Sequence, residues 1–306
     1  MTAQGIEKIN YAGWENCYRL FNREIELIVT TAVGPRIIHF GYIHEENELK
    51  EFPETFGLTG GEEWRMYGGH RFWHAPEAQP RTYFPDNQPL AVEEIPGGVR
   101  LVQAIEPTTG MEKQIEIRLD VNANNVTLTH RLRNHNLWGI EVAPWALTIM
   151  ANGGTAILPL PPRGSHPKDL LPTSSLTLWS YTNLADPRWH LGEKYILLRQ
   201  DTTQPRAQKI GACVPDGWIG YANHGHLFIK RFAYFPESTY PDLGSNVEMF
   251  TNDVMIELET LGPMKKLEPG QGVEHTEEWR LERGVPSPKN DQDVIETILP
   301  RVSQTK

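Results

Sequence analysis

The sequence predicts an all-β protein, a large antiparallel β-sandwich built as one domain over residues 1–306. Three observations carry this expectation. Short runs of alternating apolar and polar residues recur along the chain, with turn-forming residues between them. The 26 glycines and 24 prolines are scattered rather than gathered into linkers. Long apolar stripes at helical spacing are missing. A length of 306 residues suits two domains of about 150 residues, yet large all-β architectures use this much chain as one. No internal repeat and no low-complexity linker divides it.

The elements follow in order. Residues 24–31 (EIELIVTT) and 34–42 (GPRIIHFGY) read as two strands joined through Ala32-Val33-Gly34-Pro35. Residues 98–106, 113–120 and 125–133 repeat the pattern, with turns at Thr108-Thr109-Gly110 and Asn122-Ala123-Asn124-Asn125. In 125–133, Val126, Leu128, His130 and Leu132 share one face, and Thr127, Thr129, Arg131 and Arg133 share the other. Further strands are expected at 140–150, 194–200, 207–214, 217–222, 225–234, 253–260 and 273–283. The stretch 157–193, rich in Pro, Ser and Trp, reads as a long excursion. Residues 291–301 (DQDVIETILPR) form one short helix, with Val294, Ile295 and Ile298 on one face and Pro300 near its end.

Composition narrows the function. With 29 Lys+Arg against 39 Asp+Glu, the chain carries a net charge of −10. Nucleic acid is not an expected partner, because its recognition needs a basic footprint. Two cysteines, Cys17 and Cys213, provide neither a disulfide framework nor a thiolate metal site. The first residues lack the basic start and apolar core of a signal peptide, and no apolar run of about 18 residues suggests a membrane helix. The expectation is a soluble, cytoplasmic protein that binds a small molecule, without a cofactor.

Chemistry concentrates in three places. Residues 66–87 (MYGGHRFWHAPEAQPRTYFPDN) interleave His70, Arg71, His74, Glu77, Arg81 and Asp86 with Phe72, Trp73, Tyr83 and Phe84. Aromatic rings stack on the apolar faces of sugars, and Arg, His and carboxylates hydrogen-bond hydroxyls, so the segment reads as a pocket-lining loop. His70, His74 and Glu77 have the residue types of a metal triad. His-x-x-x-His needs a helix to align its imidazoles, and Gly68-Gly69 and Pro76 argue against one, so no metal is expected. In residues 223–231 (NHGHLFIKR), His224 and His226 lie two apart and share a strand face. In residues 246–263, Glu257 and Glu259 likewise share a face opposite Ile256 and Leu258, with Glu248 nearby. Turned into a pocket, that acidic face holds a carboxylate of raised pKa, usable as a base; turned to water, it holds ordinary charges.

Several of these residues resemble a known family. Glu257-Leu258-Glu259-Thr260, then Leu267-Glu268-Pro269-Gly270 and a closing strand through Trp279-Arg280-Leu281, are similar to the C-terminal end of the galactose mutarotase-like (aldose 1-epimerase) superfamily. The opening hairpin, residues 24–42, also resembles that family's. The resemblance implies a β-supersandwich and a sugar site, with Glu259 as catalytic base and Arg71 holding sugar hydroxyls where the family has an Asn-Arg pair. It implies a sugar-binding role for the strand of Asn223, His224 and His226, although the family's aspartate is not there. Where the family carries an acid histidine, residues 142–150 (VAPWALTIM) have Trp145 instead. His70, His74 or His224 is then the candidate acid, and Trp73, Glu77, Arg81, Trp145, His224, His226, Glu248 and Glu257 are candidate sugar contacts. The expected function is carbohydrate binding with mutarotase-like isomerisation of anomers. The alternatives are sugar binding without catalysis, or a lyase or hydrolase that grips a sugar acid through Arg36, Arg71 and Arg81.

Overall fold

Residues 4–303 are described by a computed structural model. Two antiparallel sheets face each other. The first has eleven strands. From one edge they run Gly5–Tyr11, Trp14–Phe21, Ile25–Val29, Arg36–Tyr42, His70–Ala75, Ile140–Met150, Ile256–Leu261, Val247–Thr251, Gln208–Ala212 and Leu176–Leu178; Lys265–Leu267 adds to the end of Ile140–Met150. The second has ten: Trp189–Leu191, Tyr195–Arg199, Thr155–Pro159, Trp218–Asn223, His226–Phe232, Gly272–Arg283, Asn125–Asn134, Met111–Leu119, Gly98–Val102 and Ala91–Ile95.

The apolar alternation of these strands makes the core between the sheets. Leu27, Phe40, Phe72, Ala146 and Leu258 from the first sheet meet Ile115, Leu128, Leu132, Phe228 and Trp279 from the second. Burying each larger side chain contributes about 1.5–3 kcal/mol. Val126, Leu128, His130 and Leu132 are all fully buried, as the alternation of that strand requires. No described helix is long and apolar enough to cross a membrane.

Gly5–Tyr11, Trp14–Phe21, Ala91–Ile95, Val247–Thr251 and Lys265–Leu267 are strands beyond those expected from the sequence, and three further segments depart from it. Residues 70–75, read as part of a loop, form a strand in the middle of the first sheet, with all six residues buried. Gly68 and Gly69, at φ +83° and +66°, turn the chain into place, and a Cβ on Gly69 would lie 2.0 Å from the Ile37 carbonyl oxygen. The Gly-Gly pair that suggests a loop is what permits this close approach. The 157–193 stretch contributes Leu176–Leu178 and Trp189–Leu191, and Thr155–Pro159 runs into its start. The terminal helix continues through Pro300 to Ser303. It widens just before the proline, where Leu299 N–H donates to Val294 O. Val294, Ile298 and Val302 pack on Trp218, Leu227 and Ile229 on the outer face of the second sheet.

A polar network lies inside the sandwich. Glu277 is fully buried, 3.0 Å from the Lys230 ammonium, and accepts hydrogen bonds from Trp279 Nε1 at 2.9 Å and from the Thr260 hydroxyl. Lys230 also donates to the carbonyls of Leu258 (3.2 Å) and Ala146 (3.4 Å). His275 Nε2 donates to Thr260 Oγ1 at 2.8 Å. His130 Nδ1 donates to the His275 carbonyl at 3.0 Å, so its Nε2 accepts from His70 Nε2 at 2.7 Å, and His70 Nδ1 accepts from Thr148 Oγ1 at 2.9 Å. Burial holds all three imidazoles below their ordinary pKa, that of His275 down to about 3. Glu277 is held well below the carboxylate range: burial opposes its charge, and the Lys230 ammonium leads the attractions that outweigh burial.

This network predicts the outcome of a single deletion. Lys230→Met leaves a carboxylate buried without its counter-charge and costs about 3–5 kcal/mol in urea unfolding at neutral pH. Adding Glu277→Gln recovers part of the loss. A cost under about 1 kcal/mol for the single variant contradicts the pairing.

Candidate functional site

Strand alternation that sends His70, Phe72 and His74 inward sends Arg71 and Trp73 to the outer face of the first sheet. Register does the rest. Arg71 pairs with Leu147, Leu147 with Glu259, Glu259 with Glu248, and Glu248 with Gly211, forming one row across five strands. The neighbouring rows bring Trp73 beside Trp145, and Glu257 beside Phe250 and then Lys209. Glu248, Glu257 and Glu259 therefore share the outer face with Arg71 and Lys209.

The charges pair diagonally across the strands. Arg71 Nη1 lies 3.0 Å from Glu257 Oε1, and its guanidinium stacks 4.4 Å from the Trp73 ring centroid. Lys209 Nζ lies 2.7 Å from Glu248 Oε2 and 2.9 Å from Glu259 Oε2. Trp145 Nε1 donates to the same Glu259 oxygen at 2.9 Å. The rings of Trp145 and Trp179 flank the ammonium at 5.0 and 4.7 Å. Glu248 and Glu259 are both 0% exposed, and Oε1 of each has no hydrogen-bond partner.

Above this row lies a cleft of about 340 Å³, within the range of small-ligand sites, about 300–1,000 Å³. Lys209 and Glu248 line it together with Glu77, Tyr83, Trp145, Trp179 and Asp242. The Tyr83 hydroxyl donates to Glu77. Asp242 and Leu243 follow one another at φ +48° and +61°, a conformation that side chains rarely adopt and that costs about 1–3 kcal/mol per residue. The Asp242 carbonyl accepts from Thr177 Oγ1 (3.0 Å) and Ser245 Oγ (2.9 Å), which hold the segment over the cleft.

The electrostatics are unbalanced. One ammonium serves two carboxylates. Burial pushes the Glu248 pKa well above the ordinary carboxylate value, and the adjacent Glu259 adds to the rise against the attraction of Lys209. Burial also raises Glu257, with Arg71 opposing. Lys209 is held well above its usual value: burial disfavours its charge, but Glu248 and Glu259 outweigh burial. The arrangement thus sets a carboxyl of raised pKa beside a second glutamate and a fixed cation within one cluster.

The structure gathers Glu259, Glu257, Glu248, Arg71, Trp73, Trp145 and Glu77 on this face. It separates the histidines from them. His70 belongs to the interior network, on the opposite side of its strand from Arg71. His74 also points inward, and burial, with Lys113 and Arg81 near it, drives its pKa down to about 3. The odd-even alternation of a strand allows no other outcome once Arg71 faces out. His226 is held by Glu48 (2.5 Å) and Glu45 (3.1 Å) against Tyr42, and His224 sits in a turn 3.1 Å from Glu46. Both lie on the second sheet's hairpin, so neither reaches Glu259. Arg81 donates to the Pro76 carbonyl and lines a neighbouring hollow rather than the cleft.

The histidines and Glu77 read as a metal triad do not converge. Among the described residues, the group whose ligand atoms do converge is His70, His130 and Glu277, whose side chains already serve the interior network, with the Lys230 ammonium beside the carboxylate. Sequence reasoning missed Lys209, Trp179 and Asp242. Lys209 offered one signal, a charged residue inside a strand that is buried throughout, QKIGA.

The unequal charge at Glu248 has a measurable consequence. A carboxyl whose folded pKa is raised costs stability as pH climbs from about 4.5 toward the folded value, because the unfolded chain releases the proton first. Glu248→Gln removes that cost. The variant is therefore expected to match the wild type below pH 4.5 and to gain on it above, by at most about 1.4 kcal/mol per pH unit. Thermal unfolding followed from pH 4 to 9 checks this; parallel curves for the two proteins refute it.

No protein-family model matches the sequence, and no curated protein matches it. Solved structures do. The Slr1438 protein of Synechocystis sp. PCC 6803 aligns with a TM-score of 0.59 at 11% identity, over 90% of this chain and 99% of that one. A proposed aldose 1-epimerase from Klebsiella pneumoniae subsp. pneumoniae gives 0.59 at 11% identity, over 98% and 87%. A galactose mutarotase-like protein from Lactobacillus casei ATCC 334 gives 0.56 at 9% identity, over 91% and 100%. With two opposed antiparallel sheets and alignments of this extent, the chain has the galactose mutarotase-like fold.

Proposed function

We propose that this protein binds a neutral aldose in the cleft beside Lys209 and interconverts its anomers. The observation that carries the reading is the ammonium shared by Glu248 and Glu259 at the base of an aromatic-walled cleft. Anomer exchange needs one group that takes the proton of the C1 hydroxyl and another that gives a proton to the ring oxygen. Glu259, accepting from Lys209 and Trp145, is the base. Glu248, the carboxyl of raised pKa, is the acid. The C1–O5 bond breaks as C1=O forms, the carbonyl face turns, and the same two proton transfers in reverse close the other anomer. Charge and oxidation state are unchanged. The acid differs from the imidazole of the related family, and Lys209 couples the two carboxyls by favouring only one proton between them. Trp145, Trp179 and Tyr83 supply rings for the sugar faces.

Polarimetry or NMR exchange with D-glucose and D-galactose tests this. Glu259→Gln and Glu248→Gln are each expected to lose about 10²–10⁴-fold in exchange rate while keeping the wild-type circular dichroism. A wild-type protein that leaves the spontaneous rate unchanged sinks the isomerase. One observation favours a second reading, binding without turnover: among the described residues, no imidazole lines the cleft. Calorimetric sugar binding without exchange is its signature.

The charge of the site also selects substrate. Glu77, Asp242 and Glu248 line the cleft against the single cation Lys209. Arg36 is engaged by Asp86 and Gly68 O, both at 2.7 Å, and Arg71 by Glu257. Arg81 lines the neighbouring hollow, and among the described residues no guanidinium lines the cleft to clamp an acid sugar. Galacturonate and glucose 6-phosphate are therefore expected to give no thermal protection where neutral aldoses do. Stronger protection by the anions would restore the sugar-acid reading.

A further inference from the structure

A second, larger hollow of about 770 Å³ adjoins the cleft, and Tyr83 lines both. Its other walls include Phe84, Trp138, Arg81, Gln88 and Thr109. Trp138 is 64% exposed and Leu137 beside it 89%. An indole this exposed is unusual, since Trp is ordinarily well buried.

The loop that displays it is rigidly built. Asn134, fully buried, donates from Nδ2 to the Trp138 carbonyl at 3.0 Å and to the Leu267 carbonyl at 2.8 Å. Asn136 Nδ2 donates to Asn134 Oδ1 at 2.9 Å and to Thr109 O at 2.8 Å. Gly110, at φ +65°, leaves room for this: a Cβ there would fall 2.4 Å from Asn136 Oδ1. Two asparagines thus fix the backbone around an indole left facing water. A fixed backbone lowers the conformational entropy lost when something stacks on the exposed ring.

We infer that this hollow is a subsite for further sugar units, so that the preferred ligand is a short oligosaccharide whose reducing-end aldose occupies the cleft at Lys209. The inference rests on the reading of that cleft as a sugar site. Its own support is the shared Tyr83 wall and the lining. Aromatic faces alternate with hydroxyl, amide and guanidinium groups, the combination that matches the apolar faces and hydroxyl edges of pyranoses. Anomer exchange needs a free reducing end, so the additional units extend from the non-reducing side.

The test uses cellobiose, maltose and lactose, which all carry glucose at the reducing end, against D-glucose itself. Anomer-exchange kinetics and calorimetry are run on the full chain and on Trp138→Ala. At least one disaccharide is expected to show a KM or Kd about tenfold below that of glucose, and Trp138→Ala to bring that ratio close to one. Disaccharides no better than glucose, or an advantage that survives Trp138→Ala, overturn the subsite while leaving the cleft's activity on glucose standing. A tenfold advantage without exchange supports the subsite and overturns the isomerase. Neither binding nor exchange with any of the four sugars overturns both. Self-association by sedimentation that Trp138→Ala abolishes, with no change in the sugar ratio, assigns the ring to a contact between copies and also overturns the subsite.

Discussion

One ammonium lies within hydrogen-bonding range of two carboxylates that sit side by side on neighbouring strands. Lys209, Glu248 and Glu259 come from three adjacent strands of one sheet, and their contact exists only while the register of those strands holds. A slip of one residue between Val247–Thr251 and Ile256–Leu261 would turn Glu259 into the apolar interior and Leu258 out onto the site. Burying three acids on one face is costly unless cations accompany them. Arg71 and Lys209 provide two, which leaves one proton's worth of charge unmatched. That imbalance, together with burial, is what raises the pKa of Glu248.

The reverse of the same strands is pinned by a second buried lysine. Lys230 bonds the carbonyls of Ala146 and Leu258, residues adjacent to Trp145, Leu147, Glu257 and Glu259. Thr148 and Thr260, also facing inward from these strands, tie them to His70, His275 and Glu277. The site strands are therefore held from behind by hydrogen bonds as well as by apolar packing. Such a network orders the strands more narrowly than greasy contacts alone, because each donor has one geometrically suitable acceptor. The imidazoles act there as neutral connectors.

Much of this was legible from local pattern, which is where strand periodicity operates. Alternation located three of the five strands that carry the site row, put His130 on one face with Val126, Leu128 and Leu132, and put Glu257 and Glu259 together on one face. The residues around Glu257-Leu258-Glu259-Thr260 pointed to the fold. Residues 70–75 were misread because Gly68-Gly69, Pro76 and several charges have the composition of a loop. Their charges are satisfied by partners far away in sequence, which composition does not show.

By itself the sequence determined the fold class, the terminal helix and the acidic face, because each follows from contacts within a few residues. The tertiary structure alone decided which residues meet at that face. Lys209 reaches Glu259 across fifty positions of sequence, Trp179 comes from a stretch with no regular pattern, and His70 is separated from Arg71 by the plane of the sheet. Those outcomes are set by strand order and register, which are properties of long-range pairing. No local periodicity encodes them.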